Sequence, residues 1–155
     1  MAAPKLLARP RGEGPAQASN AMSVPRRRDQ AQPSVRTPRQ RAGDAAEAEA
    51  CARLEAAGCR ILGRNVRFRE GEIDIVADDG GTLVFVEVRM RRGDRFGGAA
   101  GSVDVFKRRR LLRAARHFLL LNYGVGARLP PCRFDVITAD VDGIRDWIRD
   151  AFAAD

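Results

Sequence analysis

The stretch GEIDIVADDGGTLVFVEVR, residues 71–89, contains the local signals that decide the fold. Its two apolar runs, 71–76 and 83–89, are rich in β-branched and aromatic residues. Between them lies the sequence Asp-Asp-Gly-Gly at 78–81, which is typical of a tight turn. Residues 71–89 are therefore predicted to form a β-hairpin.

Four charged residues interrupt the apolar strands of this hairpin. Because side chains alternate along a strand, Glu72 and Asp74 are expected on one face of the first strand, and Glu87 and Arg89 on one face of the second. Charges in apolar strands are costly unless they are paired or bound to a metal. We infer that the compensating partner is a divalent metal ion and that the substrate is a phosphodiester.

Length and composition indicate one small domain. The chain has 155 residues, of which 45% are hydrophobic, enough for a single core. It has no apolar run near the roughly 18 residues of a membrane span and no secretory signal, so no membrane association is expected. Three cysteines without paired short spacing argue against a disulfide framework or structural zinc, and favour a reduced, cytoplasmic protein.

Most of the net charge of +8 lies in the N-terminal segment, residues 1–42, which holds nine Lys or Arg and two acidic residues. This segment is rich in Pro, Ala, Gln and Arg and is predicted to be a disordered basic tail. It would raise affinity for nucleic acid through phosphate contacts. Alternatively it is a nonessential extension, an organelle transit peptide, or the product of a misassigned start, with Met22 as the true first residue.

The rest of the chain, residues 43–155, is predicted to be one domain with polarised charge. Residues 86–117 contain ten Lys or Arg and three acids, whereas residues 134–155 contain six Asp and two Arg. The basic region adjoins the hairpin carboxylates, which favours a polyanion-binding side. A solvated helix face is the alternative.

The remaining elements are predicted from apolar periodicity and capping residues. The final segment suits either a helix or a hairpin strand. Together the elements indicate a mixed α/β layer domain. In chain order they are a helix from an N-cap at Asp44 to Ala57 with Gly58 as its C-cap, an extended segment at 59–68, the hairpin, a Gly- and Arg-rich loop at 91–101, a helix at 104–122, and a strand at 133–139.

Several motifs taken together resemble the bacterial YraN family from about Gly43 to the C-terminus. They are GEID at 71–74, FVEVR at 85–89, RFGGAA at 95–100, and Lys107 followed by the Leu111-Leu112 helix. The fold of that family resembles the restriction-endonuclease-like group, which includes archaeal Holliday-junction resolvases. The resemblance implies an α/β fold with a mixed β-sheet flanked by helices, and a strand for the final segment.

The resemblance also implies a nuclease site. Asp74 and Glu87 match the two acids of the nuclease motif, Arg89 occupies its lysine position, and Glu47 matches the glutamate of the first helix. Carboxylates of this kind bind Mg²⁺ or Mn²⁺ as hard oxygen ligands. We predict metal ligation by Asp74, Glu87 and Glu47, a catalytic role for these three and Arg89, and nucleic-acid contacts by Arg89, Arg91, Arg92, Arg95, Lys107 and Arg110.

The predicted function is a metal-dependent endonuclease acting on DNA, including branched or repair and recombination intermediates. Arginine at position 89 departs from the wider nuclease pattern, because arginine stays protonated and cannot deprotonate a water. A nucleic-acid-binding module with a weak or lost nuclease site is therefore the alternative, and an adaptor that docks on a protein is a third. Resolvase-like enzymes act as homodimers, although the sequence shows no dimer seam.

Two residues near the predicted site have simpler interpretations. Glu72 either contacts the metal or pairs with Arg89 or a neighbouring strand. His117, the single histidine, lies among apolar residues of a helix, where a packing or surface role is expected. One histidine gives little support to a His-dependent triad or a His-rich metal site.

Overall fold

The structure is a computed structural model that describes residues 22–23, 35–91 and 105–153. The loop predicted at 91–101 lies outside this part of the chain except for Arg91, and so does most of the predicted tail. Two helices and five strands follow in the order α1 (Pro38–Ala56), β1 (Arg60–Phe68), β2 (Gly71–Asp79), β3 (Thr82–Met90), α2 (Val105–Tyr123), β4 (Cys132–Asp140) and β5 (Gly143–Ile148).

Helix α1 begins six residues before the predicted N-cap, so the assignment of Asp44 as N-cap was wrong. The true N-cap is Thr37, whose hydroxyl accepts from the Gln40 amide at 3.2 Å while its own amide donates to the Gln40 side chain at 2.8 Å. Pro38 occupies the first helical position, where its missing N–H costs nothing. This reciprocal capping box satisfies two backbone donors, whereas a lone aspartate satisfies one.

The five strands form one mixed sheet in the order β1-β2-β3-β4-β5. All neighbours are antiparallel except β3 and β4, which are parallel and joined by the α2 crossover. The final segment is the strand β5, as the resemblance implied, and not the helix that its apolar spacing suggested. The predicted α/β architecture is confirmed and is consistent with a restriction-endonuclease-like fold.

Each face of the sheet is covered by one helix. Helix α2 packs over a cluster that includes Ile73, Phe85 and Phe134, and α1 packs over a second cluster that includes Ile75 and Val86. The hairpin strands lie between these two layers, which explains their nearly continuous apolar sequence. Neither helix in the described part of the chain is long and apolar enough to cross a membrane.

Gly71, the first residue of β2, lets α2 approach the sheet closely. A Cβ atom at this position would lie 2.4 Å from the Arg110 carbonyl oxygen, which belongs to the helix backbone and cannot rotate away. We expect Gly71→Ala to lower the free energy of unfolding by about 1–3 kcal/mol, because α2 must shift to relieve the overlap. Urea unfolding followed by circular dichroism measures this loss.

Gly43 provides the matched control for that substitution. It lies within α1, and an added Cβ there would meet no atom within 4 Å. Gly43→Ala is therefore expected to raise the free energy of unfolding by about 0.5–1 kcal/mol, since alanine restricts the unfolded chain. Equal effects of the two substitutions would contradict the close contact between β2 and α2.

Candidate active site

Asp74 lies where the two strands of the hairpin stop pairing. The β2–β3 ladder runs from Asp79–Thr82 to Ile75–Val86 and ends there. Beyond this point the Asp74 Oδ2 atom accepts a hydrogen bond from the Val88 amide at 2.8 Å. The Asp74 side chain thus accepts from a backbone amide of β3 that lies beyond the end of the β2–β3 ladder. This bond fixes the carboxylate beside the end of β3.

Glu87 and Arg89 share a face of β3, as the alternation predicted. Leu83 and Phe85 belong to the core cluster under α2, so the next alternate positions, 87 and 89, also face α2. The Arg89 Nε atom lies 3.9 Å from the Glu87 Oε1 atom, and both side chains are largely buried, with 15% and 19% exposed. The cation is therefore held beside the carboxylate at the α2 side of the sheet.

These strand residues and the N-terminal half of α2 enclose an open cavity of about 220 Å³. The hairpin contributes its carboxylates, and the helix contributes Lys107 and Arg110, two of the predicted nucleic-acid contacts. The lining is polar, in contrast to the apolar core around it. The lining residues are Glu72, Asp74, Glu87, Val88, Lys107, Arg110 and Leu111.

Both central carboxylates resist ionisation in this cavity. Burial, followed by the negative charge of Glu87, raises the pKa of Asp74 from its usual 3.8 to about 7, despite the opposing bond from the Val88 amide. Burial also raises the pKa of Glu87, although Lys107 and Arg89 favour its ionised form. Two buried carboxylates with raised pKa values form a site that gains most from an added cation.

The pair of carboxylates fits Mg²⁺ better than it fits a metal that needs an all-protein cage. In the described residues no three or more His, Cys, Asp or Glu side chains form a group that could hold a metal ion. Mg²⁺ is usually bound through one or two carboxylates, completed by waters and substrate phosphates. Asp74 and Glu87 are the residues that would hold it.

Glu47, the predicted third acid, lies on α1 and does not line this cavity. Its Oε2 atom accepts from the Asn65 side-chain amide at 2.8 Å. Its charge is nevertheless near enough to contribute to the raised pKa of Asp74. The metal contact and catalytic role of Glu47 stay predictions.

Glu72 does line the cavity, but it also forms an ion pair with the neighbouring strand. Its Oε2 atom lies 3.1 Å from the Arg67 Nε atom on β1, directly across the ladder. This pairing is one of the two alternatives that the sequence offered. Both side chains are about half exposed, so the pair contributes little to stability.

The predicted nucleic-acid contacts fall into three groups. Lys107, Arg110 and Arg89 lie at or beside the carboxylates. Arg91 instead points towards β5, where its guanidinium lies 3.5 Å from the Asp146 carboxylate. Arg92 and Arg95 lie outside the described residues.

His117 has the surface role that was expected of it. Its ring stacks on Phe68 with a centroid separation of 5.6 Å, and its Nε2 atom lies 3.3 Å from a carboxylate oxygen of Glu70. These contacts join α2 to the turn between β1 and β2. His117 does not line the carboxylate cavity.

Sequence reasoning missed the residue that holds Glu47. Asn65 lies in β1 opposite Asp74, between the Arg64–Ile75 and Val66–Ile73 pairs, and has a φ of 50°. Asparagine tolerates this left-handed conformation better than most residues, and the distortion accompanies the side-chain contact with Glu47. The sequence contains two signals for Asn65: an asparagine inside an otherwise extended segment, and its place among the residues that resemble the YraN family.

The raised pKa of Asp74 predicts how stability depends on pH without metal. The folded state holds this proton up to about pH 7, whereas the unfolded chain loses it near the usual pKa of 3.8. The contribution of Asp74 is therefore favourable below about pH 4 and is lost as the pH rises to about 7, a difference of up to about 4 kcal/mol.

The measurement is urea unfolding of the wild type and Asp74→Asn in EDTA, from about pH 4.5 to about pH 7.5. Since asparagine cannot ionise, the variant is expected to be more stable than the wild type by about 2–4 kcal/mol at the upper end and by only about 1 kcal/mol at the lower end. A stability difference that is independent of pH would contradict the burial of an ionisable Asp74.

The sequence that forms this site matches a known protein family. The sequence model of the uncharacterised protein family UPF0102 matches residues 46–139, which include the hairpin, α2 and most of β4. A UPF0102 protein of Xanthomonas axonopodis pv. citri is 53% identical over 118 residues, covering 76% of this chain and 95% of the relative.

Other bacteria have similar proteins. A UPF0102 protein of Symbiobacterium thermophilum is 51% identical over 100 residues, covering 64% of this chain and 82% of the relative. A UPF0102 protein of Cupriavidus taiwanensis is 50% identical over 119 residues, covering 76% of this chain and 86% of the relative. The region matched by the family model, residues 46–139, contains every residue that lines the carboxylate cavity.

Proposed function

The chain belongs to the UPF0102 family, to which the YraN proteins belong, and we propose that it is a metal-dependent endonuclease that cleaves DNA. The observation that carries this proposal is the buried pair Asp74 and Glu87, with raised pKa values, in a cavity that α2 lines with Lys107 and Arg110. The two carboxylates would bind the metal ion, and the cations beside them would bind the phosphate that the metal ion contacts.

Asp74 and Glu87 would hold Mg²⁺ or Mn²⁺ through their oxygens. When bound, such an ion supplies a Lewis acid for the phosphate and a water of lowered pKa. The Val88 amide keeps the Asp74 carboxylate oriented, because it donates to one of its oxygens. Arg89 beside Glu87 helps to keep that carboxylate ionised and available as a ligand.

The role of Arg89 follows from its chemistry. A guanidinium cannot accept a proton at neutral pH, so Arg89 is not the general base. It is suited to contact a phosphate oxygen and to stabilise charge that develops on the phosphate in the transition state. Lys107 and Arg110 approach the same cavity from α2 and would position the phosphate.

A nucleic-acid substrate is supported by three cations of α2 that no described acidic side chain holds in an ion pair, although Lys107 and Arg110 are near enough to Glu87 to favour its ionised form. Lys107, Arg110 and Arg113 form no ion pair with another residue in the described part of the chain. The turn between β4 and β5 is acidic and pairs Arg145 with Asp140 and Asp142, so its own acids are partly neutralised within the turn. The cations of α2 would attract a polyanion to the carboxylate cavity.

A nucleic-acid-binding module without cleavage activity is the second candidate. It is favoured by the absence of a three-acid metal group in the described residues and by an arginine at the lysine position of the nuclease motif. Cytoplasmic location and a homodimer stay predictions under either function.

The decisive experiment incubates the purified protein with labelled single-stranded, duplex, flap and four-way-junction DNA in Mg²⁺, Mn²⁺ or EDTA. The endonuclease is supported by cleavage that requires a metal and prefers one of these structures. Binding that persists in EDTA, decreases with salt and never leads to cleavage would favour the binding module.

A further inference from the structure

A second and larger cavity lies on the other flank of α2. It is an open groove of about 450 Å³ between α2 and the start of β4, with a floor made mainly of apolar side chains. We refer to it as the α2–β4 groove. Its lining residues are Phe85, Arg109, Leu112, Arg113, Ala115, Arg116, Leu119, Cys132 and Phe134.

Three arginines form one wall of this groove. Arg109, Arg113 and Arg116 follow one another at helical spacing, so they project from one face of α2 over about 10 Å. All three side chains are exposed, and none forms an ion pair with any other residue within 22–23, 35–91 or 105–153. A row of unpaired guanidinium groups beside an apolar floor is complementary to a ligand with phosphates on one side and an apolar face on the other.

The α2–β4 groove is next to the carboxylate cavity. Phe85 lines the groove and Glu87 lines the carboxylate cavity, and both belong to the same face of β3. Positions two residues apart on a strand are separated by about 7 Å. Arg109 and Arg110 likewise place adjacent positions of α2 at the two cavities. One extended nucleic-acid strand can therefore reach both.

We propose that the α2–β4 groove holds an unpaired nucleobase of the strand whose phosphate lies at Asp74 and Glu87. The apolar floor receives the base, and Arg109, Arg113 and Arg116 contact the phosphates beside it. A base inside a duplex stays stacked, so the groove selects DNA with unpaired nucleotides, such as single strands and flaps. This inference rests on the proposed function for the placement of the phosphate, and it adds the structural class of the substrate.

Cys132 gives a direct probe of groove occupancy. It is the one exposed cysteine, whereas Cys51 and Cys59 are buried, so a maleimide reagent is expected to modify Cys132 first. A short single-stranded oligonucleotide at about ten times its Kd is expected to slow this modification by about tenfold, by mass action. The reaction is run in EDTA on the full chain and on Asp74→Ala, so that no cleavage is required.

An abasic oligonucleotide of the same length separates base binding from phosphate binding. It carries the same phosphates, and we expect it to leave the modification rate of Cys132 nearly unchanged, as should a blunt duplex. Arg113→Glu reverses a charge on the groove wall, so it should raise about tenfold the concentration of normal oligonucleotide that halves the modification rate. Arg53→Glu replaces an exposed arginine on α1 and is the matched control, which should leave that concentration unchanged.

Equal protection by the abasic oligonucleotide would overturn the proposal, because the groove would then bind phosphates alone. Failure of any single strand to protect Cys132 would also overturn it, and protection by an acidic apolar peptide instead would assign the groove to a protein partner. Protection without cleavage by the wild type in Mg²⁺ or Mn²⁺ would support the groove and refute the nuclease, so the two proposals fail separately.

Discussion

Asp74→Ala and Glu87→Ala are each expected to reduce Mg²⁺-dependent cleavage of DNA by about a thousandfold or more. Each substitution removes one of the two carboxylates that the structure brings together, leaving a single carboxylate to hold a divalent ion. Loss of the ion removes charge stabilisation of several kcal/mol at the phosphate. Since about 1.4 kcal/mol corresponds to a tenfold change in rate, the expected loss exceeds three orders of magnitude.

Asp78→Asn is the matched control for these substitutions. Asp78 lies on the same strand as Asp74, but at the turn end, where its carboxylate pairs with Arg60 at 3.1 Å. The control removes a carboxylate from β2 without touching the cavity, so cleavage should remain within about twofold of the wild type. Single-turnover rates at saturating protein would separate loss of chemistry from loss of binding.

Binding of DNA should respond differently from cleavage. Removal of Asp74 or Glu87 leaves Lys107 and Arg110 in the cavity and reduces its negative charge, so affinity in EDTA should be retained or increased. If Asp74→Ala cleaves as fast as the wild type, the carboxylates have no catalytic role, and any activity of the preparation has another source. That result would refute the proposed function.

The contrast between Arg110 and Arg113 shows why this level of detail needs the structure. Lys107, Arg110 and Arg113 recur every three residues along α2. In the fold, Lys107 and Arg110 line the carboxylate cavity whereas Arg113 lines the α2–β4 groove. Spacing of three residues drifts around a helix with 3.6 residues per turn, and the sheet under α2 then separates the flanks.

Local signals explain what the sequence did predict. The hairpin, with its alternation and Gly-containing turn, required only residues that are close in the chain, and its strands and the shared face of Glu87 and Arg89 are confirmed. The predicted start of α1 was wrong because the basic, Pro-containing composition of residues 1–42 predicted a disordered tail, which left the capping box at Thr37 outside the predicted domain. The groove was missed because its walls are far apart in sequence, and only packing of α2 beside β4 creates it.

The largest stability effect is expected for Asp135→Ala, in the Arg133-Phe134-Asp135-Val136 segment of β4. Asp135 is fully buried and accepts from the Arg133 Nε atom at 2.9 Å, the Trp147 Nε1 atom at 2.9 Å and the Asp150 amide at 3.0 Å. These bonds join β4, β5 and the turn that follows β5. Removing the carboxylate leaves the indole N–H and the Arg133 Nε atom without their acceptor, while the Asp79 carboxylate still pairs with Arg133 at 3.0 Å.

We expect Asp135→Ala to lower the free energy of unfolding by about 3–5 kcal/mol, because several buried or partly buried donors lose one shared charged acceptor. A domain of ordinary stability has about 5–15 kcal/mol in total, so part of the variant should be unfolded at 37 °C. Thermal and urea unfolding measure the loss. Asp142→Ala, which removes an exposed partner of Arg145, should cost less than about 1 kcal/mol.

Asp135→Asn distinguishes a structural carboxylate from a catalytic one. The amide keeps the shape and one acceptor oxygen, so we expect a smaller loss of about 1–3 kcal/mol and a folded protein at low temperature. Asp135 does not line the carboxylate cavity, so the cleavage rate per folded molecule should stay within about twofold of the wild type. A thousandfold lower rate in folded Asp135→Asn would place this carboxylate in the catalytic site and contradict its structural role.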